Sequence, residues 1–129
     1  MAAQPDQEFL LRQTRLLCAS YAHWTGKALV AANGEGGNIV QRLWQAPFAV
    51  VSHGTQSDPI FNYGNACALE LFGMDWQQFT CLPSRLSAEP LVREERERLL
   101  ERVTRHGFVD DYAGMRIARD GTRFMIQNA

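Results

Sequence analysis

Three polar residues in close succession, Asn62, Tyr63 and Asn65, are the side chains of this sequence best suited to meet a small molecule. An amide offers donors and acceptors together, and a phenol adds a ring and a hydroxyl. Each also has an ordinary use, Asn65 as a helix N-cap and Tyr63 as sheet packing. His53 ends an apolar run just before Gly54, so it either faces a cavity or closes a turn. Asp110-Asp111 is a carboxylate pair, but neighbours on a strand point to opposite faces and cannot act on one substrate atom. Asp111 is expected to point inward among Val109 and Met115, where a carboxylate requires a donor. Arg85 is the candidate donor, in a structural ion pair or as part of a polar pair lining a pocket.

Other chemistries lack their parts. Ser84 and Ser87 sit in a Pro-flanked loop, and no G-x-S-x-G elbow is present. Lys27 follows Gly26 without the remaining residues of a phosphate-binding loop. Cys18, Cys67 and Cys81 form no C-x-x-C pair and read as reduced, mostly buried thiols. His106 suits the C-terminal turn of a helix, where a cation is favoured by the dipole. Thirteen basic and fourteen acidic residues are interspersed, for a net charge of -1. That pattern offers no footprint for nucleic acid or an anionic membrane. No apolar run approaches the ~18 residues of a membrane span, and the start, with Asp6 and Glu8, does not resemble a secretory signal. A cytoplasmic domain is expected, 129 residues being enough for one core.

The elements that must carry these residues follow from periodicity. Leu10, Leu17, Tyr21, Trp24 and Ala28 mark one stripe of a helix from Asp6 to about Leu29, ended by the cluster Asn33 to Gly37. A short helix is expected from Asn38 to Gln45, then a strand over 47–53 and a second over Ile60 to Tyr63. Asn65 caps a helix of Ala66 to Phe72 that Gly73 stops, and Asp75 caps a turn of Trp76 to Phe79. The longest helical pattern after the first runs from Pro90 to His106, with Val92, Leu99 and Val103 on one face. Its Glu94–Arg98 and Glu101–Arg105 pairs at spacing four indicate a solvated helix rather than a nucleic-acid helix. A hairpin over 108–117 and 122–128 turns at Asp120-Gly121. The class is α+β, an antiparallel sheet with helices on one face, preceded by an amphipathic helix.

The runs Ala46 to Gly54 and Pro59 to Asn65, with Leu71 to Met74, Pro83 to Pro90 and Gly107 to Tyr112, resemble the MEKHLA domain family. The resemblance covers nearly the whole chain, most specifically residues 46–118. The family is related to PAS domains and occurs as small bacterial and algal proteins and at the C-terminus of plant class III homeodomain-leucine zipper proteins. It implies a PAS-like sheet of five antiparallel strands with helices across one face, and a division into a helical extension over 1–45 and a domain over 46–129. It also implies a non-enzymatic sensory or interaction module that relays a conformational change. Family members continue past the position of Ala129 with a strand that would lie between those at 47–53 and 122–128. Truncation, a strand supplied by a partner chain and a rearranged sheet are the competing explanations.

Gly64-Asn65-Ala66-Cys67 is also similar to the light-oxygen-voltage branch of PAS, in which a cysteine attacks a photoexcited flavin. A redox or light sensor using Cys67 is therefore the alternative. The segment sits on a different helix from that branch's cysteine, and its flavin-holding amides are not evident. The resemblance names no cofactor. Expected partners are a small-molecule ligand and either a second copy of the chain or another protein, with no nucleic acid and no membrane. The expected ligand contacts are Asn62, Tyr63, Asn65, Arg85, Asp111 and His53.

Overall fold

Helix α1 (Gln7–Thr25) begins where the Asp6 carboxylate accepts a hydrogen bond from the Glu8 N–H at 3.3 Å, satisfying one of the amides that a helix start leaves without an internal partner. The computed structural model describes residues 6–30, 38–87, 93–127 and 129. The helix stops at Thr25 rather than near Leu29, because Gly26 takes the left-handed conformation (φ 70°) and donates its N–H to the Ala22 carbonyl. Leu10 is buried and Leu17 half-buried, as the stripe requires, and Thr14 is buried beside them. Tyr21 and Trp24 lie further along and remain exposed. The expected glycine-rich loop falls outside the described residues.

Helix α2 (Ile39–Trp44) is capped by Asn38 and buries Leu43. Strands β1 (Val51–His53) and β2 (Phe61–Gly64) pair antiparallel, with Val51 opposite Gly64 and a bulge between Ser52 and His53. Strand β1 is shorter than the expected 47–53 for a specific reason. The Val50 N–H donates to the Asn65 side chain at 2.9 Å instead of to a ladder carbonyl. The other edge of β2 is covered by the chain at 82–84, where Phe61 donates to the Leu82 carbonyl at 3.0 Å.

Helices α3 (Ala66–Phe72) and α4 (Trp76–Phe79) stand where their caps predict, and Asp75 and Gln78 form a reciprocal capping box. A 3-10 turn, Ser84–Ser87, precedes α5 (Arg93–His106). Pro90 and Val92, expected in the first turn of that helix, lie outside the described residues. From Glu94 onward every side chain of α5 is exposed except the half-buried Leu99. Arg105 pairs with Glu101 at 3.0 Å, as the spacing predicts. The last hairpin is β3 (Gly114–Ile117) with β4 (Arg123–Ile126), turning at Asp120-Gly121. Hydrogen bonds from Thr122 hold the Asp120 carboxyl below its usual range. Residues 108–113, expected in the first strand of this hairpin, are not part of β3. Tyr112 instead exchanges two hydrogen bonds with Ala129, out of step with the β3–β4 register.

The two hairpins form separate two-stranded ladders, so β1 and β4 are not bonded to each other. Helices and antiparallel strands together make an α+β fold compatible with the PAS-like class. Strand β2 serves both parts of the core. Tyr63 packs with Leu10 and Leu43, and Phe61 packs with Phe72 and Phe79. Gly64 permits this approach, since a Cβ there would stand 2.7 Å from the Phe79 ring. The second hairpin docks through Phe124, whose ring meets Phe72 at 5.1 Å, and through an Arg119 N–H bond to the Phe72 carbonyl at 2.9 Å.

Asn65 joins three segments. Its Oδ1 accepts from Val50 and from Ala68 (3.1 Å), and its Nδ2 donates to the carbonyls of Leu43 (3.0 Å) and Phe48 (2.9 Å). The side chain is fully buried, so every one of these bonds replaces water. Asn65→Ala deletes the cap and strands the Val50 N–H and the Phe48 carbonyl, while the Leu43 carbonyl keeps its bond from Ala46. Denaturant unfolding should show a loss of about 3 kcal/mol or more. A loss below about 1 kcal/mol would contradict this account of the joint.

Candidate functional site

The six expected contact residues do not converge. Asn62 lines a cleft, Tyr63 is buried in the core, Asn65 is a structural joint, and the other three are on the surface. With two donors and two acceptors engaged, Asn65 has no hydrogen-bonding capacity left to offer. His53 is exposed, and its Nδ1 donates to the neighbouring Gly54 carbonyl at 2.8 Å, closing the turn.

The expected Arg85–Asp111 pair does not form. Asp111 precedes β3 rather than lying within it, so the inward alternation never reaches it. It is exposed and meets Arg102 of α5 at 2.6 Å. Arg85, carried by the 3-10 turn, meets Asp58 at 3.1 Å instead and ties that turn to the β1–β2 loop. Both pairs are well solvated, so each contributes at most about 1 kcal/mol. The cysteines are free, as expected, and differ from expectation only in burial. Cys18 and Cys67 are half-buried, Cys81 is exposed, and all three are free thiols.

The cleft has a volume of about 440 Å³. The start of α1 supplies Asp6 and Phe9, the β1–β2 loop supplies Gln56, β2 supplies Phe61 and Asn62, and α4 supplies Trp76. Thr80, just after α4, lines it as well, with its hydroxyl turned back to the Trp76 carbonyl at 2.8 Å. Cys67 is not among the lining residues. The aromatic wall is braced from behind. Trp76 meets Phe9 at 6.2 Å, Trp44 at 5.9 Å and Tyr63 at 5.9 Å, and the contacts with Phe9 and Tyr63 are edge-to-face.

A hydrogen-bonded chain leads from the cleft to α1. Asn62 Oδ1 accepts from the Ser52 hydroxyl at 2.5 Å, and Ser52 Oγ accepts from Gln13 Nε2 at 2.9 Å. Sequence reasoning missed Ser52, Gln13 and Trp76. Ser52 carried a signal, being a lone polar residue in an apolar strand run, whereas Gln13 and Trp76 gain meaning only when α1 and α4 meet the hairpin.

Behind Trp76, the Tyr63 hydroxyl and Thr14 Oγ1 are buried without a hydrogen-bond partner among the described residues. Burial pushes the Tyr63 hydroxyl up to about 12, with Cys18 nearby adding to the effect, and burial also raises the Cys18 thiol. A raised folded-state value means that the unfolded chain ionises first. This contribution to stability is therefore complete below pH 10.0, the ordinary value, and is lost as pH rises through about 12. Tyr63→Phe removes both the ionisation and a polar atom with no protein partner. Chemical denaturation should show stability at neutral pH unchanged or raised by up to about 1 kcal/mol, with a smaller loss above pH 10.0. A neutral-pH loss above about 1 kcal/mol would show that the hydroxyl makes a bond.

Among the described residues no three His, Cys, Asp or Glu side chains come together to hold a metal ion. No described helix is long and apolar enough to cross a membrane. No curated protein matches the sequence. The family model of the MEKHLA domain matches residues 11–129, from within α1 through the second hairpin. The chain belongs to the MEKHLA domain family, a PAS-related family of sensory domains that are not normally catalytic.

Proposed function

We propose that the chain is a non-enzymatic sensory module that takes a small organic molecule in the cleft and passes its occupancy to α1. The observation that carries this reading is the chain Asn62–Ser52–Gln13, which connects a cleft-lining amide to the N-terminal helix. A ligand that accepts a hydrogen bond from Asn62 Nδ2 re-orients the amide whose Oδ1 holds Ser52, and Ser52 is the group that holds Gln13. The mechanism is a population shift, set by how differently the ligand binds the two arrangements of this chain. An aromatic wall beside a few polar groups is the usual character of a small-molecule site, and the volume suits one.

The output surface in this reading is the exposed half of α1. Leu16, Tyr21 and Trp24 are 61%, 38% and 49% exposed, large apolar side chains with little cover. A second copy of the chain is the proposed occupant, because α1 also makes the cleft contacts and a dimer would read them directly.

Fragments titrated into isotope-labelled chain should shift the Trp76 indole signal and, with it, the Gln13 side-chain amide. Ser52→Ala should keep the first response and remove the second. A fragment set that moves neither Trp76 nor Asn62 contradicts the cleft as a site. For the output surface, Tyr21→Arg should weaken self-association at least about tenfold in sedimentation equilibrium. A wild-type chain that stays monomeric at every concentration would remove the dimer from this account.

A further inference from the structure

The cleft's charge and geometry specify a ligand class, an inference that rests on the cleft being a binding site. Among the described residues that line it, Asp6 is the one charged group, and none is Arg, Lys or His. Two aromatic rings form a corner there. Phe9 and Trp76 stand at 69° to each other with centroids 6.2 Å apart, and both line the cleft. Ring faces carry negative potential, and a cation against two of them beside a carboxylate is attracted by all three. The Trp76 plane is fixed from behind by Trp44 and Tyr63, so the corner does not have to form on binding.

The polar side of the cleft is equally directional. Asn62 Oδ1 is taken by Ser52, while Asn62 Nδ2 has no hydrogen-bond partner among the described residues. Its free capacity is therefore that of a donor. We infer that the cleft receives a small organic ammonium ion that also carries a hydrogen-bond acceptor, with the cationic head against Phe9, Trp76 and Asp6 and the acceptor on Asn62. A neutral aromatic ligand would leave the carboxylate unused, and an anion would meet it unfavourably.

Choline is a suitable probe, because it combines a quaternary ammonium with a hydroxyl. Its neutral isostere, in which a quaternary carbon replaces the ammonium nitrogen, has the same shape without the charge. Titrations followed by the Trp76 indole signal should show choline binding at least about tenfold more tightly than the isostere. Asp6→Asn keeps the N-cap, since both residues cap well, and should weaken choline several-fold while leaving the isostere unchanged. Equal binding of the two probes overturns the cation inference and leaves the cleft standing as an apolar site. A chain that binds the isostere alone does the same. If choline gives no response the inference also falls, and the fragment titration then decides separately whether the cleft binds anything.

Discussion

The buried amide of Asn65 is the constraint on which the remaining architecture depends. A short chain has few ways to fix a strand, a helix start and a helix end against one another without a large core. Here one side chain does so by spending both donors and both acceptors on backbone groups from the end of α2, the lead-in to β1 and the start of α3. Because the amide is buried, leaving any of these groups unpaired would be costly, so the three segments hold one arrangement. Strand β2 ends at this joint, and its two inward aromatics, Phe61 and Tyr63, then define the two halves of the core.

From that joint the cleft follows by packing. With Tyr63 placed, Trp44 and Trp76 close around it, and Phe9 completes the wall from the start of α1. The polar chain through Ser52, which stands opposite Tyr63 in the ladder, arrives at Gln13, one turn along α1 from Phe9. Helix α1 therefore meets the cleft directly through Phe9 and indirectly through the Gln13–Ser52–Asn62 chain. A ligand can act on a helix only through contacts that differ between its two states, and these two contacts are available for that role.

What was legible in the sequence was local. The caps at Asn65 and Asp75, the stop at Gly73 and the turn at Asp120-Gly121 depend on a few adjacent residues, and each stands where expected. The resemblance carried the fold class further than periodicity did. The errors concern partners distant in sequence. Arg85 and Asp111 were each assigned an ion pair, and each has one, but with Asp58 and Arg102. Exposed charges leave no patterned trace of which opposite charge they meet. Asn65 was read as a cap, which it is, yet its other three bonds reach 15 or more residues back and shorten β1. Thr14 interrupts an apolar stripe, so its burial could not be read from polarity alone.

The central claim is that α1, the Asn65 joint and the cleft form one cooperative unit, since a helix that opens independently cannot report on the cleft. Residue-resolved amide hydrogen exchange tests this most directly. The account predicts that the amides of Val50 and Ala68, bonded to Asn65, open with the same free energy as those of α1 from Leu10 to Cys18, and that this value equals the free energy of global unfolding. Exchange of the α1 amides through a separate, lower-energy opening, while Val50 and Ala68 stay protected, would contradict it.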